Sequence, residues 1–268
     1  MGVFQNHLMG AAAAAASAGG GAFYGYQIEQ SCRFDSASSS YLTQNFSSEG
    51  NRRTGTFSAW VKRTTLGTQH LLFNAHVSNA NQDQVFGFTS GDFSHIWMSG
   101  GTYGYQTSDA KHRDVSGWSH FVAAWDSTQG TAANRIKMYL NGTQLTTAND
   151  SPTQPNQNHD FFVFDDVEHN IGRRGAYSGQ HYYDGYLAEV IGVDGTQYAP
   201  TQFGEEKNGV WIPKDPSGTS FGTNGFHLKF ENSGDLGNDS SGNNNDFTAN
   251  NMGADHQSID TPTTGAGG

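Results

Sequence analysis

One cysteine, Cys32, stands in the 268 residues, so no intrachain disulfide can close and neither a cysteine zinc site nor a disulfide framework can be built. A lone cysteine of this kind reads as a small core side chain rather than a reactive thiol. Positive charge is also scarce: 14 basic side chains face 25 acidic ones, for a formal net charge of −11. That balance repels phosphate backbones and anionic membranes, so nucleic acid is not an expected partner. No run of about 18 strongly apolar residues occurs, so no transmembrane helix is expected. The zinc-protease and phosphate-loop signatures are missing as well.

What is present favours strands. The chain has 35 glycines, 13% aromatic and only 15% charged residues, with abundant Ser, Thr, Asn and Gln. Glycine and asparagine supply turns, and aromatics fill pleated, half-buried surfaces. Strands are predicted over 56–62, 70–73, 85–89, 94–98, 119–125, 135–140, 161–164, 186–193 and 226–230. In 56–62, Phe57, Ala59 and Val61 share one face while Thr56, Ser58, Trp60 and Lys62 share the other; Phe121, Ala123 and Trp125 likewise alternate. The segment RIKMYLNGTQL alternates Ile136, Met138 and Leu140 and then meets Asn141-Gly142, the signature of a type I′ hairpin.

Five segments in order carry a resemblance: RFDSASSSYL, GTFSAWVK, GWSHFVAAWD, IKMYLNGTQL and NIGRR…YYDGYLAEVIGVDG. Together they resemble the laminin G-like jelly-roll group of the concanavalin A-like lectin and glucanase superfamily, over roughly Gln27 to Pro200. The resemblance implies an all-β, antiparallel jelly-roll sandwich. Domain organisation is read as an Ala/Gly-rich N-terminal arm over 1–22, a sandwich over 23–204 and a C-terminal extension over 205–268. The late segment FHLKFENSGDLGNDSSGNNNDFT resembles the opening of such domains. It is expected to add an edge strand to the first sheet, and the natural chain is expected to continue past Gly268 as a related alternative.

The arm, MGVFQNHLMGAAAAAASAGGGA, has no Lys or Arg before its alanines, which disfavours a signal peptide. Its six alanines are too few for a helix alone in water, so the expected use is docking on a partner subunit through Val3, Phe4, Leu8 and Met9. The alternative is a disordered tail. The mixture of arm, sandwich and late segment resembles virion proteins of marine bacteriophages.

The resemblance implies a calcium site in many such domains, for which Asp35 and Glu189 occupy matching positions; Ser36 and Ser40 replace two positions of the usual pattern and remove ligands. The sandwich hydrolases of the superfamily carry three spaced acids on one strand, a pattern missing here; the nearest pair is Asp166 and Glu168, expected on one strand face. No catalytic residue is assigned and no cofactor is required. The histidines His70, His76, His95, His112, His120, His159, His169 and His181 are scattered singly and imply no metal; His120 is expected on a strand with a satisfied ring nitrogen. Glycan recognition needs rings to stack on sugar faces, for which Trp97, Tyr103, Tyr105, Tyr177, Tyr182 and Tyr183 are candidates. The expected protein is a non-catalytic virion structural or adhesion component (capsid decoration, fibre or tail) on the virion surface. It would bind partner or self subunits as a homo-oligomer and take glycans as candidate ligands. The alternative is a free-standing or secreted carbohydrate-binding module, with a glycoside hydrolase less favoured.

Overall fold

The computed structural model describes residues 23–77, 83–98, 104–147, 153–175 and 180–264. Its strands are β1 (Ser31–Phe34), β2 (Tyr41–Asn45), β3 (Thr54–Arg63), β4 (His70–His76), β5 (Asp83–Phe88), β6 (Phe93–Met98), β7 (Gly104–Lys111), β8 (Ser119–Asp126), β9 (Ile136–Leu140), β10 (Thr143–Gln144), β11 (Glu168–Ile171), β12 (Gly185–Asp194), β13 (Gly204–Lys207), β14 (Val210–Pro213), β15 (Phe226–Leu228), β16 (Thr248–Asn250) and β17 (Gln257–Ser258). Two antiparallel sheets face each other. The first runs β10-β9-β8-β3-β12-β1-β17 with β15 also paired to β12; the second runs β16-β2-β11-β4-β5-β6-β7. The all-β jelly-roll class read from the sequence is therefore the observed one.

Between the sheets lies a stack of rings. Phe57 of β3 lies parallel to Phe73 of β4 at 4.9 Å and to Phe86 of β5 at 5.9 Å. Phe86 stacks on Trp125 of β8, and Trp125 on Phe164. Each of these side chains is fully buried, and burial of one contributes about 1.5–3 kcal/mol. Cys32 is buried in the same core, where lack of solvent pushes its thiol well above the ordinary range.

The strand alternation read in 56–62 is present, but both faces are covered. Phe57, Ala59 and Val61 enter the main core, while Trp60 packs with Ile28 and Ala188 against Tyr26, Trp118 and Trp211 on the outside. A second layer, made by residues 23–28 and the β13–β14 hairpin, thus closes the outer face of the first sheet. His120 of β8 lies under it, donating or accepting at both ring nitrogens. Trp211 Nε1 donates to Nδ1 at 3.0 Å; because indole can only donate, the His120 proton must sit on Nε2, facing Ser58 Oγ at 2.8 Å.

Residues 161–164, predicted as a strand, form a buried turn instead. The apolar run FFVF is buried throughout; the Phe161 amide donates to the Arg52 carbonyl at 2.8 Å, and the other three amides are met by side chains rather than by a neighbouring strand. Phe162 and Val163 donate to Gln84 Oε1 at 2.8 and 2.7 Å, and Phe164 donates to His169 Nε2 at 2.9 Å. A short apolar run looks the same in a strand and in such a turn. Strands β2, β7 and β11 escaped the sequence reading because polar residues dominate them, several of which, such as Gln106, Ser108, His169 and Asn170, are buried all the same.

Of the C-terminal segment, residues 205–264 are woven into both sheets. β15 pairs with β12, β17 borders β1, and β16 borders β2. Its run DSSGNNND is a polar knot: the Asp239 carboxylate accepts the amides of His227, Ser241 and Asn245 at 2.8, 2.8 and 2.9 Å. Asn243 and Asn245 donate to the Gly225 carbonyl at 2.9 and 2.8 Å. The arm over 1–22 lies outside the described residues.

The β9–β10 hairpin turns at Asn141 (φ 45°) and Gly142 (φ 78°), the left-handed pair of a type I′ turn. A Cβ on Gly142 would also lie 2.3 Å from the Trp211 ring. Gly142→Ala is expected to lower stability by about 1–3 kcal/mol, from left-handed strain plus overpacking. Gly130→Ala, where a Cβ meets nothing within 4 Å, should change it by less than about 0.5 kcal/mol. Urea unfolding midpoints of the two variants check the contrast.

Candidate functional site

Unlike the first sheet, the second keeps part of its outer face open, and register decides what stands there. Asn170 of β11 lies opposite Thr43 and Asn74, Asn74 opposite Val85, Val85 opposite Trp97, and Trp97 opposite Tyr105. A neighbouring row carries Asn45, Glu168, His76 and Asp83, and a third carries Gly87, His95 and Thr107. Because side chains alternate along each strand, these residues share the face turned away from the core.

At the β6–β7 end the face is aromatic. Tyr105 is 39% exposed, the most exposed aromatic side chain among the described residues. His95 meets it edge to face at 5.0 Å, and His95 Nδ1 is 3.1 Å from Thr107 Oγ1. Arg174 lies over Trp97 with its guanidinium carbon 5.2 Å from the ring centroid. Arg174 is itself anchored: its Nε donates to the buried Asp83 carboxylate, which also accepts from Asn74 Nδ2. Burial pushes the Asp83 carboxyl up, opposed by the charge and hydrogen bond of Arg174. The Gly175 amide donates to Asn74 Oδ1 at 2.8 Å, so the loop after β11 is fastened over the middle of the face.

The β2–β11 end is ionic. Arg173 lies 3.5 Å over the Tyr41 ring, donates to Asn170 Oδ1 at 2.7 Å and to Glu168 Oε1 at 3.1 Å. Tyr182 stands 6.2 Å from Tyr41. Trp97 and Tyr105 are thus brought together, whereas Tyr182 sits at the other end of the face. Tyr183 is corrected out of the ligand candidates: it is fully buried and its hydroxyl donates to the Lys62 carbonyl at 2.9 Å. Tyr103 and Tyr177 lie outside the described residues.

The expectation that Asp166 and Glu168 share a strand face is not met. Asp166 is exposed in the bend before β11, so it shares no strand face with Glu168, whose carboxylate is taken by Arg173 and Asn170. Glu189 occupies a β-bulge: Ala188 pairs with Trp60 and Ile191 with Ser58, leaving an extra residue with Glu189 at φ 47°. There it accepts from Tyr26 at 3.1 Å and lies 2.5 Å from His227 Nε2, 5% exposed. Asp35 follows β1 near Gly185, roughly 16 Å away along the strand direction at about 3.3 Å per residue, and accepts the Ala37 amide at 3.0 Å. The two residues therefore do not fit the calcium site that the resemblance implied. Among the described residues no group of three His, Cys, Asp or Glu is placed to hold a metal ion.

Sequence reading missed Tyr41, Asn74, Asp83, His95, Thr107, Arg173 and Arg174. A period-two signal was available in β7, where Tyr105, Thr107 and Asp109 alternate with Gln106 and Ser108. The arginines carried no such signal, since only the fold of the loop after β11 brings them onto the face.

A family model described as the Concanavalin A-like lectin/glucanases superfamily matches residues 34–191. No curated protein matches the chain. Among solved structures, a candidate carbohydrate binding protein from Bacteroides ovatus ATCC 8483 is similar, with 14% identity and a TM-score of 0.58 over 84% of this chain and 59% of that one. A heptameric SAP-like pentraxin from Limulus polyphemus has 14% identity and a TM-score of 0.47 over 66% and 81%. The CBM40 of a Ruminococcus gnavus IT-sialidase, bound to α2,3-sialyllactose, has 14% identity and a TM-score of 0.43 over 60% and 89%. At 14% identity the likeness to the B. ovatus protein describes the fold alone.

Burial holds four histidines below their ordinary value: His70, His95 and His169 at about 4 and His120 at about 3. Each is neutral when folded and takes up a proton near pH 6.5 once unfolded, so its contribution is complete above about pH 6.5 and is lost as pH falls toward 4. Urea midpoints are expected to fall steadily from pH 7 to pH 5, each histidine adding a slope of up to about 1.4 kcal/mol per pH unit. A flat profile across that window contradicts the assignment.

Proposed function

Because the chain belongs to the Concanavalin A-like lectin/glucanases superfamily, we propose that it is a non-catalytic glycan-binding adhesion module whose ligand lies on the outer face of the second sheet. The observation that carries this reading is the pairing of Trp97 with Tyr105, flanked by His95, Thr107 and Arg174. Two rings on adjacent strands offer an apolar platform about 5 Å apart at their Cβ atoms, the scale of one pyranose face. The half-buried Thr107 hydroxyl beside them can bond sugar hydroxyls that lie in the ring plane, while the buried His95 and Arg174 hold the two rings in place. The B. ovatus protein that shares this fold is itself a candidate carbohydrate binding protein, which points the same way.

Binding without catalysis is the better fit to the acids on this face. Glycosidic cleavage uses two carboxyl groups on either side of the scissile bond. Asp83 is wholly buried and held by Arg174 and Asn74, out of reach of a bound chain. Glu168 is committed to Arg173 and Asn170.

The setting proposed is a virion surface, with residues 1–22 as an anchor to a partner or second copy; it rests on the resemblance of the alanine-rich arm and sandwich to phage virion proteins. Many copies would let weak single sites act together. Light scattering on the full chain and on a variant lacking 1–22 tests the anchor. Discrete multimers for the full chain alone support it, and equal masses favour a free-standing module.

Glycan-array binding of fluorescently labelled protein tests the ligand. The full chain is expected to select a small set of glycans, and Tyr105→Ala is expected to weaken the strongest by at least about tenfold, as loss of a stacking ring does. Tyr182→Ala should retain that binding within about twofold. Binding to no glycan, or equal binding by Tyr105→Ala, contradicts the proposal.

A further inference from the structure

At the far end of the sandwich from Tyr105, the two sheets part around a cleft of about 270 Å³ that nothing above uses. We propose that this cleft binds a small carboxylate with an apolar body, gripped by Lys111 and Arg113 with the buried charge of Arg63 behind them.

Strand alternation creates the site. Phe57, Ala59 and Val61 of β3 point between the sheets, and the next residue in that series is Arg63, so a guanidinium occupies a place the pattern reserves for a core side chain. It is 3% exposed and lies 4.5 Å over the Phe88 ring. A buried charge must be compensated. Nη2 reaches Asp92 Oδ1 at 3.0 Å and Nη1 donates to the His112 carbonyl at 2.6 Å, but the buried Nε–H finds no acceptor among the described residues. That donor is closed off from solvent, so Arg63 supplies positive charge behind the cleft rather than a contact inside it.

Charge around the cleft points to what the ligand is. Asp92 is shared: besides Arg63 it accepts from Arg113 Nε at 3.2 Å and from the Gly67 amide at 2.8 Å. Asp114 accepts the amide and hydroxyl of Ser116 at 2.8 and 2.6 Å. Three cations, Arg63, Lys111 and Arg113, therefore line a cleft with two carboxylates, a surplus of one positive charge in a chain of net −11. The floor is apolar, made by Val61, Phe88 and Phe121 with Leu140 beside them. An exposed cationic rim of Lys111 and Arg113, the charge of Arg63 behind it and the apolar floor together suit a carboxylate bonded by charged N–H groups while its body lies against the apolar side chains.

Titration of ¹⁵N-labelled full chain with phenylacetate, and in parallel with phenylacetamide, tests the site. Phenylacetate is expected to give saturable amide shifts at Lys111, Arg113 and Ser119, and phenylacetamide to bind at least about tenfold more weakly. In the double variant Lys111→Ala/Arg113→Ala, whose buried Arg63–Asp92 pair is untouched, the phenylacetate affinity should fall at least about tenfold with the rest of the spectrum preserved. Tyr105→Ala should bind phenylacetate as the parent does, which separates this site from the glycan face. Absence of saturable shifts, equal binding of the amide, or full affinity in the double variant overturns the proposal.

Discussion

The ring stack between the sheets is the constraint on which the rest of the structure depends. Phe57 and Trp125 from one sheet meet Phe73 and Phe86 from the other, and Phe164 joins from a turn. Near-parallel rings set the gap and registration of the two sheets, since truncating a fully buried Phe or Trp leaves a cavity costing about 3–5 kcal/mol. With no disulfide available, that apolar contact is the main fastening across the gap. Polar groups are admitted only when satisfied: Gln84 meets two turn amides, and His169 fixes one tautomer by accepting from Phe164 while Nδ1 faces the Val167 carbonyl at 2.8 Å.

Once the gap is set, the two outer faces have different fates. The first sheet is covered by residues 23–28 and by the hairpin bearing Trp211, which turns its outer polar positions, Ser58 and His120, into buried hydrogen-bonded ones. The second sheet is only partly covered, by a loop tied down through Arg174 and Gly175. Its exposed ring, Tyr105, and the half-buried Trp97 and Thr107 beside it are therefore available for binding, and their positions are rigid because they sit on strands rather than loops. The same two-sheet geometry opens a cleft where β3, β5, β7 and β8 end, and Arg63 stands behind it.

Legibility followed the physics of each residue. The I′ hairpin was readable because Asn141-Gly142 has few other uses between alternating strands, and the sheet class followed from residues such as Phe57 and Phe121 alternating with small or polar ones. Phe161 to Phe164 misled, because buried apolar character does not reveal whether a strand or a side-chain-satisfied turn meets the amides. Glu189 matched a motif position, yet a bulge turned it toward His227 and away from Asp35; one inserted residue reverses a face and leaves no local sequence mark. Trp97 and Tyr105 were visible as aromatics beside glycine-rich segments, but their pairing depends on strand register. The ion pairs of Arg173 and Arg174 depend on contacts from β2, β5 and β11, too far apart in sequence to be inferred locally.

The central claim is that ligand lies on the outer face of the second sheet. Chemical-shift mapping with the strongest oligosaccharide from the array tests it most directly, read at the indole N–H of Trp97 and the amides of His95, Tyr105 and Thr107. The account predicts saturable shifts concentrated at these groups, with Trp60, Trp118 and Trp211 unmoved. Shifts concentrated at those three tryptophans, on the covered sheet, would contradict it.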